Sequence, residues 1–222
     1  QPGGLGGVSS IYLRGGDPNY TQILIDGVQM NDPTNSRGGS FDVSSIDMES
    51  LERVEIIRGS QSAVRGADAI SGTINFITHG GAGKPQYTAL VAGEFSGYRR
   101  GSADARGLLS PNAGLALSVA VIDDGNAIEG SHFHNRVFTA KSDIFPSDEA
   151  SLQLVARLSD SNSSNFPDDS GGPVFAVRRT SDTRYATEIS TGLVFEQQLT
   201  GSSQVTVESS LYRRREVFSS RG

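Results

Sequence analysis

Residues 113–121 read AGLALSVAV, and their alternation decides the fold. Leu115, Leu117, Val119 and Val121 fall on one face of an extended chain, and Gly114, Ala116, Ser118 and Ala120 fall on the other. That two-residue period belongs to a β-strand with one greasy face and one small, polar face.

The same pattern recurs on both sides. In ASLQLVARLS, Leu152, Leu154, Ala156 and Leu158 oppose Gln153, Val155, Arg157 and Ser159. In RYATEISTGLVFEQ, Tyr185, Thr187, Ile189, Thr191, Leu193 and Phe195 face away from Ala186, Glu188, Ser190, Gly192 and Glu196. SQVTVESSLY continues with Val205, Val207 and Leu211 against Gln204, Thr206 and Glu208. Each run has about nine to eleven residues or more, enough to cross a bilayer at a tilt of about 45°, whereas strands of soluble sheets average about five or six.

The spacing predicts seven strands, at roughly 87–95, 102–109, 113–122, 134–144, 150–161, 184–197 and 203–214, with NRVFTAKSDIF the least regular. SPNA, FPSDE and QLTGSS read as tight turns, whereas DGNAIEGSHFH and NSSNFPDDSGGPVFAVRRTSDT read as long polar loops and SGYRRG as intermediate. Alternation alone also describes a half-exposed antiparallel sheet. Short turns at one end and long loops at the other, with small polar inner faces, favour a transmembrane β-barrel wall.

Composition agrees. Gly 27 with Cys 0, Trp 0 and Met 2 suits turns and strands, and the missing cysteines exclude disulfide frameworks and thiolate metal sites. A formal charge of -6 argues against a nucleic-acid partner. The only basic run is RRR at 213–215, read as an exposed strand end. No stretch has the roughly 18 to 20 apolar residues of a membrane helix. The chain opens at Gln1 and ends at SSRG in mid-pattern, so it reads as a piece of something longer.

The first 80 or so residues differ in character. Short apolar runs, SSIYLR and YTQILID, are separated by the turn signals GGDPN and Asn31–Gly39. VSSIDMESLERVEII predicts one or two short helical turns, with Ser44 or Ser45 as N-cap and Glu49 and Glu52 early, leading into a strand from Arg53 to Ile57. SQSAVRGADAI predicts a further short turn before a strand from Gly72 to Thr78, and the apolar runs on either side of it, EII and TINFIT, look built to be buried. HGGAGKPQ, residues 79–86, is a Gly/Pro break. The division is a small α+β domain over 1–83 and a barrel portion over 84–222.

LRG at 13–15, LIDGV at 24–28, ERVEIIRG at 52–59, SAVRGADAISG at 62–72 and INFIT at 74–78 occur in that order. Over about 75 residues they resemble the plug domain of the TonB-dependent receptors of Gram-negative outer membranes. The resemblance implies a mainly β chain: a plug followed by the first seven or so strands of an antiparallel, twenty-two-stranded transmembrane β-barrel. It implies active uptake of a scarce, bulky nutrient bound where plug and barrel loops meet. TonB, with its inner-membrane energising complex, would be a partner, and outer-membrane lipid and lipopolysaccharide would surround the barrel. Arg14 and Arg58 occupy family positions that pair with barrel-wall glutamates, which would lie on strands beyond this chain. Arg65 stands where the family commonly has an aromatic residue, and no role is assigned to it. Gly59, Gly66 and Gly72 are expected to permit tight turns.

VSSIYLRGGDPN and LIDGV look most like the vitamin B12 transporter branch, which makes cobalamin the expected ligand and a ferric siderophore or haem the alternative. By position, Val8, Ser10, Asp17, Asn35 and Ser36 would touch it, although Asp17, Asn35 and Ser36 read equally well as turn formers. That branch uses acidic loops for calcium; Asp123, Asp124, Asn126, Asp160, Asp168 and Asp169 reproduce them poorly, so no cofactor is required and calcium is not favoured.

His132 and His134 would share a strand face, within reach of haem or a metal, but read more simply as solvated. No GxSxG, Walker or helix-opening GxGxxG sequence is present, and DSGGP at 169–173 lacks the partners of a serine protease, so no enzyme is expected. Two functional classes remain: a ligand-gated transporter, and a surface-binding protein on the same fold without transport.

Overall fold

The computed structural model describes residues 10–31, 41–60, 69–95, 97–124, 131–165 and 182–219. It contains two sheets, one of four strands and one of seven.

The four-stranded sheet has the order β2-β1-β4-β3, formed by β1 (Thr21–Ile25), β2 (Val28–Gln29), β3 (Leu51–Arg58) and β4 (Gly72–Thr78). β1 and β4 run parallel in the middle, and both outer pairings are antiparallel. The LIDGV stretch is a hairpin whose two turn residues, Asp26 and Gly27, have φ of 48° and 81°. Positive φ at both positions is what a two-residue type I′ connection demands. β2 has only two residues, so the Asn31 side chain continues the ladder. It accepts from the Ile23 amide at 2.7 Å and donates to the Thr21 carbonyl at 3.0 Å.

β1 is buried along its whole length, and Ile23, Ile25, Val28, Met30, Phe41, Ile46, Ile74 and Phe76 form one core with Val155 of the larger sheet. The expected strand 72–78 matches β4. Gly72 has φ of 147°, and a Cβ there would lie 2.3 Å from the Ile57 carbonyl oxygen, so glycine is needed where β4 leaves its turn against β3. Gly59 also has positive φ, as the turn reading requires; Gly66 and Arg65 lie outside the described residues.

Two expectations need correction. The helical turns are 3₁₀ turns, Val43–Ser45 and Met48–Ser50, and the N-cap of the first is Asp42, not Ser44 or Ser45. Its carboxylate accepts from the Ser44 amide and hydroxyl, a stronger acceptor two positions upstream of the first serine. In addition, the EII run is not buried: β3 is the sheet edge, covered only by β4, and Ile56 is 51% exposed.

The seven-stranded sheet is an antiparallel meander, β11-β10-β9-β8-β7-β6-β5. Its strands are β5 (Gln86–Gly93), β6 (Arg99–Ser110), β7 (Ala113–Asp123), β8 (His132–Ser147), β9 (Ala150–Asn165), β10 (Asp182–Thr200) and β11 (Ser203–Ser219). All seven expected strands are present, the least regular included. Two-residue turns at 111–112, 148–149 and 201–202 lie at one end, and the connections 94–98, 124–131 and 166–181 lie at the other. The sequence faces are the structural faces: in β7 Ala116, Ser118 and Ala120 are buried toward the small sheet, while Leu117, Val119 and Val121 are exposed outward.

β8 to β11 run to 16, 16, 19 and 17 residues, longer than expected. Their ladders continue beyond the apolar alternation through polar pairs such as His132↔Ser164 and Asp182↔Asn165, so parts of the expected long loops are strand. Backbone pairing does not need apolar side chains once the partner strand is in register.

A glycine pair marks the crossing between the sheets. A Cβ on Gly81 would lie 2.0 Å from the Leu115 amide nitrogen, and one on Gly114 would lie 2.5 Å from the Gly81 carbonyl oxygen. The connecting segment therefore runs backbone to backbone against β7, which only two facing glycines allow.

Candidate functional site between plug sheet and wall

The inner face of β7 to β10 is largely polar and buried because the small sheet docks onto it. Asp26, at the tip of the β1–β2 hairpin, accepts from the Lys141 ammonium of β8 at 2.9 Å, from the Thr78 amide at 3.1 Å and from the Thr78 hydroxyl at 2.5 Å. Lys141 also donates to the Thr78 carbonyl at 3.2 Å. Asp26 and Lys141 are each 6% exposed, so this is a buried ion pair, with both partners further hydrogen-bonded to Thr78 of β4.

A second cluster lies nearer the long-loop end. Arg157 of β9 reaches the Ser45 carbonyl at 2.9 Å and Glu188 of β10 at 3.3 Å, and the Tyr212 hydroxyl donates to Glu188 at 3.1 Å. Asn135 donates to the same Ser45 carbonyl at 3.2 Å and accepts from the Ser159 hydroxyl at 3.2 Å. Arg184 joins Asp42 at 3.5 Å to Glu216 at 2.5 Å, and Arg214 joins Glu188 at 3.5 Å to Glu216 at 2.7 Å. On the opposite flank Arg100 of β6 meets Asp47 at 2.6 Å and Glu49 at 3.7 Å. Three acidic side chains of the small sheet and its turns, Asp26, Asp42 and Asp47, thus each meet a cation of the wall.

Nearer the short-turn end, a polar cavity of about 690 Å³ separates the sheets, bordered by Asp26, Glu52, Arg53, Lys141, Asp143 and Glu208. His79, between β4 and β5, donates its amide to the Ser50 carbonyl at 3.0 Å. Its imidazole pKa is lowered from the ordinary 6.5, first by burial and then by the nearby Arg106 guanidinium.

The candidate residues from sequence distribute differently. Arg14, with φ of 56°, and Arg58 are both exposed, and neither meets a wall carboxylate among the described residues. Asp17 caps the 3₁₀ turn Pro18–Tyr20 by accepting from the Asn19 amide at 3.3 Å, as its turn-forming reading expects. Ser10 is half-buried at the start of the described chain; Val8, Asn35 and Ser36 lie outside the described residues. His132 and His134 share the outward face of β8, where His132 contacts Asn162 at 3.2 Å and His134 accepts from Arg136 at 2.9 Å. Of the calcium candidates, Asn126, Asp168 and Asp169 lie outside the described residues, and no cluster of three metal-ligating side chains occurs among the described ones.

Sequence reasoning missed the wall cations. Lys141, Arg157 and Arg214, with the anion Glu188, are long charged residues at inward positions of strands whose inner faces are otherwise mostly uncharged, such as Val137, Thr139, Val155, Ser159, Ala186 and Ser190. That anomaly is legible from alternation alone, because a buried charge requires a partner.

Residues 1–73 match the TonB-dependent Receptor Plug Domain. The plug sheet and wall together resemble solved receptors. For the ferric-catecholate import receptor Fiu from E. coli K12, the TM-score is 0.71 at 16% identity, over 94% of this chain and 34% of that one. For the pyoverdine outer membrane receptor FpvA from Pseudomonas aeruginosa it is 0.69 at 17% identity, over 90% and 31%. For the siderophore receptor PirA, also from Pseudomonas aeruginosa, it is 0.64 at 15% identity, over 92% and 34%. At these identities the shared property is the fold, and the chain spans about a third of the receptors' length. The meander is thus the architecture of such a receptor's wall beside its plug, as the alternation predicted.

Proposed function

We propose that this chain is the plug and the first seven wall strands of a TonB-dependent receptor in a Gram-negative outer membrane, which takes up an iron chelate of the siderophore type. On this reading residues 1–83 are the plug and 84–222 the wall, the long-loop end faces outward, and TonB acts on the plug from the short-turn side. The ligand would bind above the plug among the long loops. No bond of the ligand needs to be made or broken by the protein.

The observation that carries the reading is the continuity of a plug-domain match with a seven-stranded meander whose charged inner face is docked onto that plug. For the ligand, the receptors described above are named for a ferric catecholate, pyoverdine and a siderophore, which favours the iron-chelate alternative over cobalamin. Of the five positions that the likeness to the vitamin B12 branch sets against the ligand, Asp17 has a sufficient structural role as a turn cap.

Calorimetry of the complete receptor against ferric catecholate and hydroxamate chelates and against cobalamin tests this. Tight binding of an iron chelate with no cobalamin signal is expected. Cobalamin binding without chelate binding would reverse the ligand assignment.

A further inference from the structure

The basic run at 213–215 is split by the pleat. Arg214 turns inward to Glu188 and Glu216. Arg213 and Arg215 are exposed and turn outward, because their cross-strand partners Ile189 and Thr187 belong to the outward face of β10. Arg136 of β8 shares that face, in the row Arg136–Asp160–Thr187–Arg215 across four neighbouring strands.

This row lies at the edge of the outward apolar band. Toward the long-loop end, β7 changes from Val121 to Asp123, β8 from Phe138 to Arg136 and β9 from Leu158 to Asp160. β10 changes from Ile189 to Thr187, and β11 from Leu211 to Arg213. The edge steps down one residue pair between β7 and β8 and another between β10 and β11, as a level boundary does on strands tilted to it. Guanidinium groups are tolerated at such an edge and not at mid-band.

The carboxylates of the same band are engaged from neighbouring strands. Asp160 accepts from the Thr187 hydroxyl at 3.0 Å, and Asp123 lies 3.7 Å from His134. Arg136 gives its Nε hydrogen to His134. Among the described residues no carboxylate forms an ion pair with Arg136, Arg213 or Arg215. Arg213 and Arg215, two residues apart on one face, are separated by about 7 Å along the strand, close enough for both forks to hold one phosphate.

We propose that Arg213 and Arg215, supported across the sheet by Arg136, form a binding site for the phosphate-bearing headgroup of a lipid in the leaflet at the long-loop end. The acyl chains of that lipid run down the outward faces of β10 and β11, along Ile189, Leu193, Leu211 and Val207. The inference rests on the membrane placement proposed above, and the complementarity is specific: paired cations at the edge of the outward apolar band, with the nearby carboxylates already engaged.

The test uses the complete receptor in phosphatidylcholine nanodiscs doped with diphosphoryl lipid A, with the lipid retained after detergent extraction counted by native mass spectrometry. Arg213→Gln and Arg215→Gln are each expected to weaken retention about fivefold, and the double variant roughly 25-fold, if each cation contributes as one does at an anionic surface. Arg53→Gln, a cation of the plug sheet, is expected to leave retention unchanged. A double variant that inserts normally and retains lipid A like the parent overturns the proposal. So does retention of dephosphorylated lipid A as strong as that of the diphosphoryl form. Failure of the parent to insert into any bilayer would overturn the receptor reading as well, which separates the two.

Discussion

Two sets of cations, one on the wall and one on the plug, behave in opposite ways. Lys141, Arg157, Arg184 and Arg100 come from the wall, are largely buried, and each meets an acidic side chain or a carbonyl of the plug. Arg14, Arg53 and Arg58 come from the plug and are exposed. Arg53 is occupied only by its neighbours Glu52 and Glu55. Over these seven strands the polarity is therefore acidic plug against basic wall, the reverse of the arginine-to-glutamate arrangement that the family resemblance implies for Arg14 and Arg58. With the arginine-to-glutamate arrangement on the remaining strands, the interface would carry both polarities and fix register, because a plug rotated against its wall would set like charges against each other.

Removing a buried partner breaks this comparison most severely. Lys141→Met leaves the Asp26 carboxylate buried and unpaired, and the expected loss is about 3 to 5 kcal/mol of plug docking. Limited proteolysis of the complete receptor reads it as faster cleavage in the plug. Asp26→Asn in the same background removes the stranded charge and is expected to restore much of the protection. If Lys141→Met alone leaves cleavage unchanged, the pair does not hold the plug.

Arg58→Gln sharpens the comparison from the other side. A partner carboxylate on the remaining wall strands would make its loss cost about 1.5 to 3 kcal/mol, as for a hydrogen bond to a charged group. The same proteolysis assay measures it. An effect no larger than that of Arg53→Gln would mean that Arg58 is simply a solvated edge-strand residue.

What could be read from sequence follows the same division. The wall was legible because membrane strands repeat one rule, apolar outward and small or polar inward, so AGLALSVAV fixes its own two faces without knowledge of its neighbours. The extent of β8 and β9 was not, since His132 and Ser164 join the ladder through pairing and not through hydrophobicity. In the plug, TINFIT sits in the middle of its sheet as its composition suggests, whereas EII lies at an edge, and strand order is not encoded in either run. The wall cations were visible as misplaced charges on a small-residue face. Their partners were not, because Asp26, Asp42 and Asp47 each occupy positions that turn chemistry explains equally well.

The smallest expected effect belongs to His79, beside the connection between plug and wall. Its pKa is lowered on folding, by burial first and by Arg106 second, so the folded state favours the neutral ring. The folded protein then binds fewer protons than the unfolded chain at this site, and stability rises with pH through the transition. The contribution is complete above the unfolded value of about 6.5 and is lost as pH falls below it toward the lower folded value. Protonation adds a charge near Arg106 and disfavours the contact of this segment with the wall. Thermal melts of the complete receptor at pH 7.5 and pH 5.5 should show a small decrease at the lower pH, and His79→Gln should reduce that decrease while leaving the pH 7.5 melt nearly unchanged. A variant whose pH dependence matches the parent's would assign the slope elsewhere. Because Gly81 fits against Gly114 two residues beyond His79, such a slope would report on the one covalent crossing from plug to wall, independently of the ion pairs that hold the plug from its other faces.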